Sequence, residues 1–257
     1  MPEAAKMDSP VGIFDKGKYY QDRLDRITIF DSIDLDLKLI EAKKEKGFDP
    51  TTLKAFLIGG CYSKDSIEAM IEFIGQINPN TKTRLIATDI NQEAFDLIKT
   101  YPIEVPENID LRMFRGDLTQ LALPSGAIDY VRMDYVENFI PLHQQEALLE
   151  EIHRITSENA IVASMMDVVP AARNIIEKIR RILQKAKGSK IDLRKYAQFG
   201  INMLFISEEF IRNASKKAGF DLSFVDSEHH YFDLDSTRSR LAVFEKAKPK
   251  KDAHSTN

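Results

Sequence analysis

Short apolar runs alternate along this chain with longer segments in which apolar residues recur every three or four positions. The central short runs are bounded by turn residues, which is typical of strands buried on both faces of a sheet. Together the runs predict seven strands: Ala55–Ile58, Arg84–Thr88, Ile109–Phe114, Ile128–Met133, Ala160–Met165, Asp221–Phe232 and Arg240–Glu245.

The longer segments predict amphipathic helices. In the first of them, Ile67, Met70, Ile71 and Ile74 form one apolar stripe. The last begins at Ser207, a residue type that caps helix N-termini, and it stops at a glycine. The predicted helices are Asp65–Gln76, Gln92–Thr100, Leu142–Ile155 and Ser207–Ala218.

The alternation of strands and helices predicts an α/β fold. We expect a doubly wound, mostly parallel sheet of seven strands with helices on both faces. The last two strands break the alternation, because only the short link Asp233–Ser239 joins them. A link this short requires an antiparallel pair, so the sheet is expected to have an antiparallel C-terminal edge.

Composition and charge narrow the possible functions. The chain has 257 residues, of which 43% are hydrophobic and 30% charged, and this suits either one globular domain or one domain with an appendage. A net charge of −4 gives no sign of a general nucleic-acid-binding surface. No apolar run approaches the ~20 residues that span a bilayer, and no signal peptide is recognisable. The single cysteine fits a reducing compartment, so we expect a cytoplasmic location.

The two ends of the chain differ from its centre. Residues 1–12 and 247–257 are polar and lack an apolar period, which predicts disorder. Residues 13–50 predict a helical segment that either packs on the core or covers a ligand with Tyr19 and Tyr20. Residues 51–246 form the main domain. Its helical insertion at about 171–198 is basic on one side, which indicates either a solvated face or a surface for an anionic ligand or a partner.

A glycine turn and a single acid give the strongest indication of chemistry. Gly59 and Gly60 follow the first strand, and Asp89 ends the second. In an open parallel sheet, such a turn lets a ligand approach the backbone, and such an acid can accept hydrogen bonds from a ribose. Alternatively, the glycines only make a tight turn, and Asp89 only caps the helix that follows it.

The order of these motifs resembles that of the class I S-adenosylmethionine-dependent methyltransferases, over roughly residues 50–246. The segments that carry the resemblance are FLIGGCYS, RLIATDI, FRGDLTQLALPSGAIDYVRMD, HQQEALLEEIHRITSENAIVASMMD and FISEEFIRNASKKAGFDLSFVD. The resemblance implies a Rossmann-like fold, S-adenosylmethionine as the cofactor and a small-molecule methyl acceptor. It assigns Asp89 to the ribose, and Ile90 and Asp117 to the adenine. The cofactor-binding residues that it implies are Gly59, Gly60, Cys61, Asp89, Ile90, Asp117, Leu118 and Met133.

Three positions depart from the family's pattern and support an alternative function. Leu57 stands where the family commonly has an acid that helps to hold the cofactor's amino-acid end, and Cys61 and Ser63 replace two glycines of its loop. The alternative is a non-catalytic protein of this fold, either a pseudo-enzyme or an interaction module. Cys61 itself is interpreted as a packing residue, because no base stands beside it. A nicotinamide-dependent dehydrogenase is disfavoured, because Gly-x-Gly-x-x-Gly is absent.

The candidate catalytic residues are Asp134 and Tyr135, which follow the fourth strand. Its carboxyl end should face the crevice, where Asp134 could act as a general base. The alternative is that Asp134 caps a turn and that Tyr135 covers the core. Methyl transfer requires alignment more than acid–base groups, which agrees with the lack of a clear catalytic constellation. No metal site is predicted, because the adjacent His229 and His230 would point to opposite faces of a strand.

Overall fold

The structure is a computed structural model that describes residues 30–61, 63–134, 136–169, 206–226 and 238–247. Several features predicted from the sequence lie outside these ranges. They are the two terminal segments, the insertion at about 171–198, Tyr19, Tyr20, Tyr135, His229 and His230. No helix within the described ranges is both long enough and apolar enough to cross a bilayer.

The described strands form one sheet. They are β1 (Ala55–Gly59), β2 (Thr83–Asp89), β3 (Ile109–Arg115), β4 (Ile128–Asp134), β5 (Thr156–Val169), β6 (Ile206–Ser207), β7 (Phe220–Asp226) and β8 (Arg238–Lys246). Seven of them follow one another in the order β3-β2-β1-β4-β5-β8-β7, and the two-residue strand β6 pairs with the end of β5 beside this path.

The strand directions confirm the predicted fold class. Strands β1 to β6 pair in parallel, whereas β8 is antiparallel to both β5 and β7. The predicted antiparallel C-terminal edge is present, and within it β8 lies between β5 and β7. The reason is its apolar run Leu241–Phe244, which is almost completely buried, whereas β7 is only partly covered and lies at the edge.

Six helices are described: α1 (Phe30–Lys44), α2 (Lys64–Ile77), α3 (Gln92–Ile98), α4 (Val136–Phe139), α5 (Gln145–Ile155) and α6 (Glu208–Lys217). The predicted cap of α6 is present, because Ser207 Oγ accepts a hydrogen bond from the backbone N–H of Phe210 at 3.1 Å. Helix α5 begins later than predicted, since Leu142–Gln144 forms a 3-10 turn ahead of it.

Helices cover both faces of the sheet, and each face has its own core. Alternate residues of β1 show the division, because Phe56 and Ile58 point toward α1, α2 and α3, and Leu57 points toward α5 and α6. The first core includes Ile40 and Phe73, both about 1% exposed. The N-terminal helix α1 therefore belongs to the packed domain and completes one of its two layers.

Replacing Ile40 by alanine should lower the free energy of unfolding by about 2–5 kcal/mol, because it removes a fully buried side chain between α1 and the sheet. The measurement is urea denaturation followed by circular dichroism. The matched control is Glu41→Ala on the exposed side of the same helix, where a change within about 0.5 kcal/mol is expected. Equal effects of the two substitutions would show that α1 is not docked on the sheet.

Candidate functional site

The carboxyl ends of β3, β2, β1 and β4 lie side by side at one edge of the sheet. The predicted site residues occupy these ends or the turns that follow them. Gly59 pairs with Thr88 of β2 on one side and with Met133 of β4 on the other. Consequently Asp89 and Asp134, each the next residue along its strand, flank the glycine turn.

The two glycines are required by their own surroundings. A Cβ atom on Gly59 would lie 2.8 Å from Leu118 Cδ1. Gly60 has a φ of +72°, which favours glycine, and a Cβ atom there would lie 2.5 Å from Val136 Cγ2. The side chains of Leu118, Met133 and Val136 are buried beneath and around the turn, so packing alone explains why no larger residue stands at either glycine.

Cys61 packs in the core and does not present its thiol at the edge of the sheet. Its side chain is fully buried, and this burial raises the pKa of the thiol well above its usual range, with the negative charges of Asp89 and Asp134 adding to the effect. The backbone N–H groups of Gly60 and Cys61 both donate to the Thr88 carbonyl oxygen, at 3.0 and 3.1 Å. These two donors of the turn are thus engaged within the protein.

Ser63 has a structural role at the position where the sequence departs from a third glycine. Its Oγ accepts a hydrogen bond from the backbone N–H of Ser66 at 3.2 Å and so caps the N-terminus of α2. The capping explains why a serine is favourable at this place in the turn.

Asp89 has a half-buried carboxyl group at the end of β2. One of its oxygens, Oδ1, accepts a hydrogen bond from the backbone N–H of Asn91 at 2.7 Å. Burial raises the pKa of the carboxyl to about 6, and this hydrogen bond opposes the rise. The neighbouring Ile90 is 53% exposed, which is unusual for a large apolar residue in this fold. The exposed apolar side chain of Ile90 therefore lies next to the carboxyl group of Asp89, which has limited contact with water, at this edge of the sheet.

Asp117 shapes the turn that follows β3. Its Oδ1 accepts hydrogen bonds from the backbone N–H and from Oγ1 of Thr119, at 2.8 and 2.7 Å. Asp117 therefore stabilises this turn, and the same turn carries the buried Leu118 to the glycines. A hydrogen bond from Gly116 N–H to the Asp89 carbonyl oxygen, at 3.0 Å, holds the turn beside β2.

Several solved structures have a similar overall fold. A methyltransferase from Methanosarcina mazei, described as S-adenosylmethionine-dependent, superposes with a TM-score of 0.51 at 12% identity, covering 76% of this chain and 93% of that one. Geranyl diphosphate C-methyltransferase from Streptomyces coelicolor A3(2), in complex with Mg²⁺, geranyl diphosphate and S-adenosyl-L-homocysteine, gives 0.50 at 9% identity, covering 76% and 71%. Human N-acetylserotonin methyltransferase, in complex with S-adenosylmethionine, gives 0.51 at 14% identity, covering 79% and 50%.

This chain has the class I methyltransferase fold. The order of strands and the antiparallel β8 agree with the resemblance that the motifs indicated. Neither a family model nor a curated protein matches the sequence. The structural likeness, at 9–14% identity, establishes the fold, and the roles of individual residues have to be argued from this chain itself.

Within this methyltransferase fold, β4 carries a buried ionic cluster that the sequence analysis did not foresee. Tyr130, Arg132 and Asp134 alternate along the strand and so share the face covered by α1. Arg132 Nη2 lies 2.9 Å from Asp134 Oδ1, and Arg132 Nη1 lies 3.0 Å from Asp36 Oδ2 on α1. Tyr130 also donates its hydroxyl hydrogen to Asp36. The candidate catalytic residue Asp134 is therefore one end of a chain of charges that reaches α1.

Burial raises the pKa of Asp36 to about 6. The positive charge of Arg132 and the hydrogen bond from Tyr130 oppose this rise, and the negative charge of Asp134 adds to it. The only sequence signal for the cluster is an arginine in the middle of an otherwise buried strand. Strand alternation places that arginine on the face of the sheet that α1 covers, but no local pattern identifies its partner Asp36, which is 96 residues away.

A second buried acid lies beside this cluster. Glu137 on α4 accepts a hydrogen bond from Ser164 Oγ of β5 at 2.7 Å. Burial raises the pKa of its carboxyl to about 7, and the hydrogen bond from Ser164 opposes the rise. The buried amide of Gln145 donates to the Glu137 and Ile140 carbonyl oxygens, which fixes the short helix at the end of β4.

A small cavity of about 10 Å³ adjoins the ionic cluster, between α1, α2 and the sheet. Its polar lining consists of Asp36, Ser66, Arg132 and Asp134. The volume suits about one water molecule, so the cavity is too small for a nucleoside. The described residues contain no group of three histidine, cysteine or acidic side chains placed to hold a metal ion.

Replacing Gly60 by alanine should lower the free energy of unfolding by about 2–4 kcal/mol. The left-handed backbone costs a residue with a Cβ atom roughly 1–2 kcal/mol, and displacing Val136 costs a similar amount. The control is Gly126→Ala, because Gly126 has a φ of +69° and its Cβ atom would meet nothing within 4 Å. If urea denaturation shows equal losses for Gly60→Ala and Gly126→Ala, Val136 does not pack against the turn. If it does pack there, adding Val136→Ala to Gly60→Ala should recover part of the stability that Gly60→Ala removes.

Proposed function

We propose that this protein is an S-adenosylmethionine-dependent methyltransferase that transfers a methyl group to a small-molecule acceptor. The observation that carries the proposal is the half-buried carboxyl of Asp89, which ends β2 next to the glycine turn in a sheet of the methyltransferase fold. The acceptor class is supported by the net charge of −4, which does not favour a nucleic acid. It is also supported by the small molecules bound or methylated by proteins of similar fold.

The environment of Asp89 fits a ribose. A half-buried carboxylate with one backbone hydrogen bond has a raised pKa because its charge is poorly compensated. The two hydroxyls of a ribose would each donate a hydrogen bond to it and so compensate the charge. Ile90 offers an exposed apolar surface for the adenine ring beside the same carboxyl.

The other predicted cofactor residues fall into two groups. We propose that the edge residues Asp117 and Ile90 contact the adenine directly. Leu118, Met133 and Cys61 are buried and would act by shaping the surface on which the cofactor lies. Gly59 and Gly60 would let the cofactor approach the backbone of the turn, because a side chain at either position has no room.

The bound cofactor would supply a methyl group on a sulfonium, which is already an electrophile. The contribution of the protein is then to align the acceptor with the methyl group and to exclude water. Asp134 and Tyr135 stay as the proposed catalytic candidates. The ion pair between Asp134 and Arg132 favours a binding role for Asp134 over a proton-transfer role.

The alternative function is a non-catalytic protein of this fold. Two observations favour it. The N–H groups of Gly60 and Cys61 are bonded to Thr88, and Leu57, at the position where the family commonly has an acid, is fully buried in the core. Binding of an adenosyl ligand distinguishes the two functions, because the alternative needs none.

S-adenosylhomocysteine should raise the melting temperature of the protein, and Asp89→Asn should abolish the rise. At a ligand concentration of 100 times Kd the stabilisation is about 2.7 kcal/mol. The variant itself should be at least as stable as the parent near neutral pH, since it removes a half-buried charge that is poorly compensated. The control Glu72→Gln changes an exposed acid of α2 and should retain the full shift.

A calorimetric titration with millimolar S-adenosylhomocysteine completes the experiment. Absence of binding would reject the methyltransferase proposal and leave the non-catalytic alternative. Binding that survives Asp89→Asn would show that the ribose is held elsewhere.

The affinity for S-adenosylhomocysteine should fall as the pH is lowered through about 6. The ribose hydroxyls bind the ionised form of Asp89, and a pKa of about 6 means that this form is lost below that pH. Between pH 7 and pH 5 the dissociation constant should increase roughly tenfold, and binding near pH 6 should release about half a proton per ligand. A profile that Asp89→Asn leaves unchanged would assign the pH dependence to Asp36 or Glu137, whose pKa values are also raised.

A further inference from the structure

Glu137 carries a fully buried carboxyl group that the proposed methyl transfer does not use. The residue belongs to α4, the four-residue helix that follows β4, and it is 0% exposed. Ser164 Oγ of β5 donates to Glu137 Oε2 at 2.7 Å, but Glu137 Oε1 accepts no hydrogen bond from the described residues. An ionised carboxylate is poorly stabilised in this position, because a buried charge needs a hydrogen-bond donor at each oxygen.

The buried amide of Gln145 contacts the same short helix. Its Nε2 donates to the carbonyl oxygens of Glu137 and Ile140, and these two bonds determine which end of the amide is the nitrogen. The other end, Gln145 Oε1, is buried and has no donor within the described part of the chain. The side chains around α4 thus hold two acceptor oxygens without donors. A neutral Glu137 is favoured there, because its carboxyl O–H removes the charge and adds a donor.

The charges that act on Glu137 come from β4. Asp134 raises the pKa of its carboxyl and Arg132 lowers it, and these two residues are paired with each other at 2.9 Å. Strand β5 and helix α5 contribute the uncharged Ser164 and Gln145 to the contact. Burial is therefore the main cause that raises this pKa to about 7, and the hydrogen bonds from Ser164 and from the backbone N–H of Glu137 oppose the rise.

Helix α4 also connects Glu137 to the glycine turn. The residue before it, Val136, is 8% exposed, and a Cβ atom on Gly60 would lie 2.5 Å from Val136 Cγ2. A helix of four residues has little stability of its own, so its position depends on the contacts of its side chains. A displacement of Glu137 away from β5 would consequently move Val136 away from the turn.

We propose that Glu137 is a proton-controlled latch: its neutral form closes α4 on β5 and holds Val136 against the glycine turn, and loss of the proton loosens the helix and the turn together. In that ionisation the carboxyl O–H bond breaks, the proton passes to water and the carboxylate keeps the electron pair. The latch needs no ligand, so the inference stands independently of the proposed function. It makes the shape of the turn depend on pH in the neutral range.

Glu137→Gln tests the effect of the latch on stability, because glutamine has the shape of the neutral acid and cannot ionise. Between the ordinary pKa of 4.5 and the folded-state pKa of about 7, the folded parent keeps a proton that the unfolded chain has lost. The parent should therefore lose stability relative to Glu137→Gln as the pH rises through this window, and the difference should be constant above it. From pH 4.5 to pH 8, the folding equilibrium constant of the variant should rise about a hundredfold relative to that of the parent.

Urea denaturation at a series of pH values measures this ratio. Comparing the two proteins at each pH cancels the contributions of Asp36 and Asp89, whose pKa values are also raised. The matched control is Glu150→Gln, which changes an exposed acid of α5 and should follow the parent at every pH. If Glu137→Gln also follows the parent, the latch is rejected.

Nuclear magnetic resonance tests the movement of α4 directly. The carboxyl carbon of Glu137 should titrate with a midpoint near pH 7, and the methyl signals of Val136 should shift with the same midpoint. In Glu137→Gln the Val136 signals should not titrate in this range. Ser164→Ala removes a donor to the ionised carboxyl, so it should move the midpoint to a higher pH, which a side chain with a packing role alone would not do.

The parent titration decides the inference even without a variant. A Glu137 midpoint near pH 4.5 would show that the carboxyl is ionised in the neutral range and would overturn the proposal. A midpoint near pH 7 without a response at Val136 would confine the ionisation to its own site and reject the latch. A common midpoint for both residues, lost in Glu137→Gln, supports it.

Discussion

The guanidinium of Arg132 lies inside the molecule, on a strand whose other residues are mostly apolar and buried. A charge in that position is tolerated only when carboxylates surround it, and removing one partner of such a buried pair typically costs about 3–5 kcal/mol. The partners come from two places, since Asp134 belongs to the same strand and Asp36 belongs to α1. The need to compensate one buried cation therefore joins the N-terminal helix to the centre of the sheet.

The ion pairs of Arg132 also determine the arrangement of the strand ends around the glycine turn. Because Arg132 contacts Asp134 directly, the last residue of β4 has a defined position beside the glycine turn. On the other side of that turn, Asp89 is fixed by the pairing of β2 with β1. The two acids are thus held by the rigid sheet and not by the loops, and this is the arrangement that a precise binding site requires. Packing of Leu118 and Val136 against the glycines completes the floor between them.

The sequence pattern was sufficient to predict the architecture, because strand and helix periodicity reflect burial, and burial follows from the sheet order. It also located Asp89 and the glycine turn, since both depend on residues adjacent in the sequence. It did not reveal the pairing of Asp36 with Arg132, which joins residues 96 positions apart and has no local signature. The hydrogen bond of Ser164 to Glu137 was missed for the same reason. The order of β7 and β8 within the antiparallel edge was not predicted, because a short link specifies the direction of a strand pair but not which strand is outermost.

The placement of β8 has a consequence for how the chain is made. The strand comes from the last residues of the domain, yet it fills the space between β5 and β7. While the chain is being synthesised, the long edge of β5 consequently has no partner until residues 238–246 have left the ribosome. An unpaired edge of this kind is a template for association with other chains. The nascent protein is therefore exposed to aggregation along this edge until β8 has emerged.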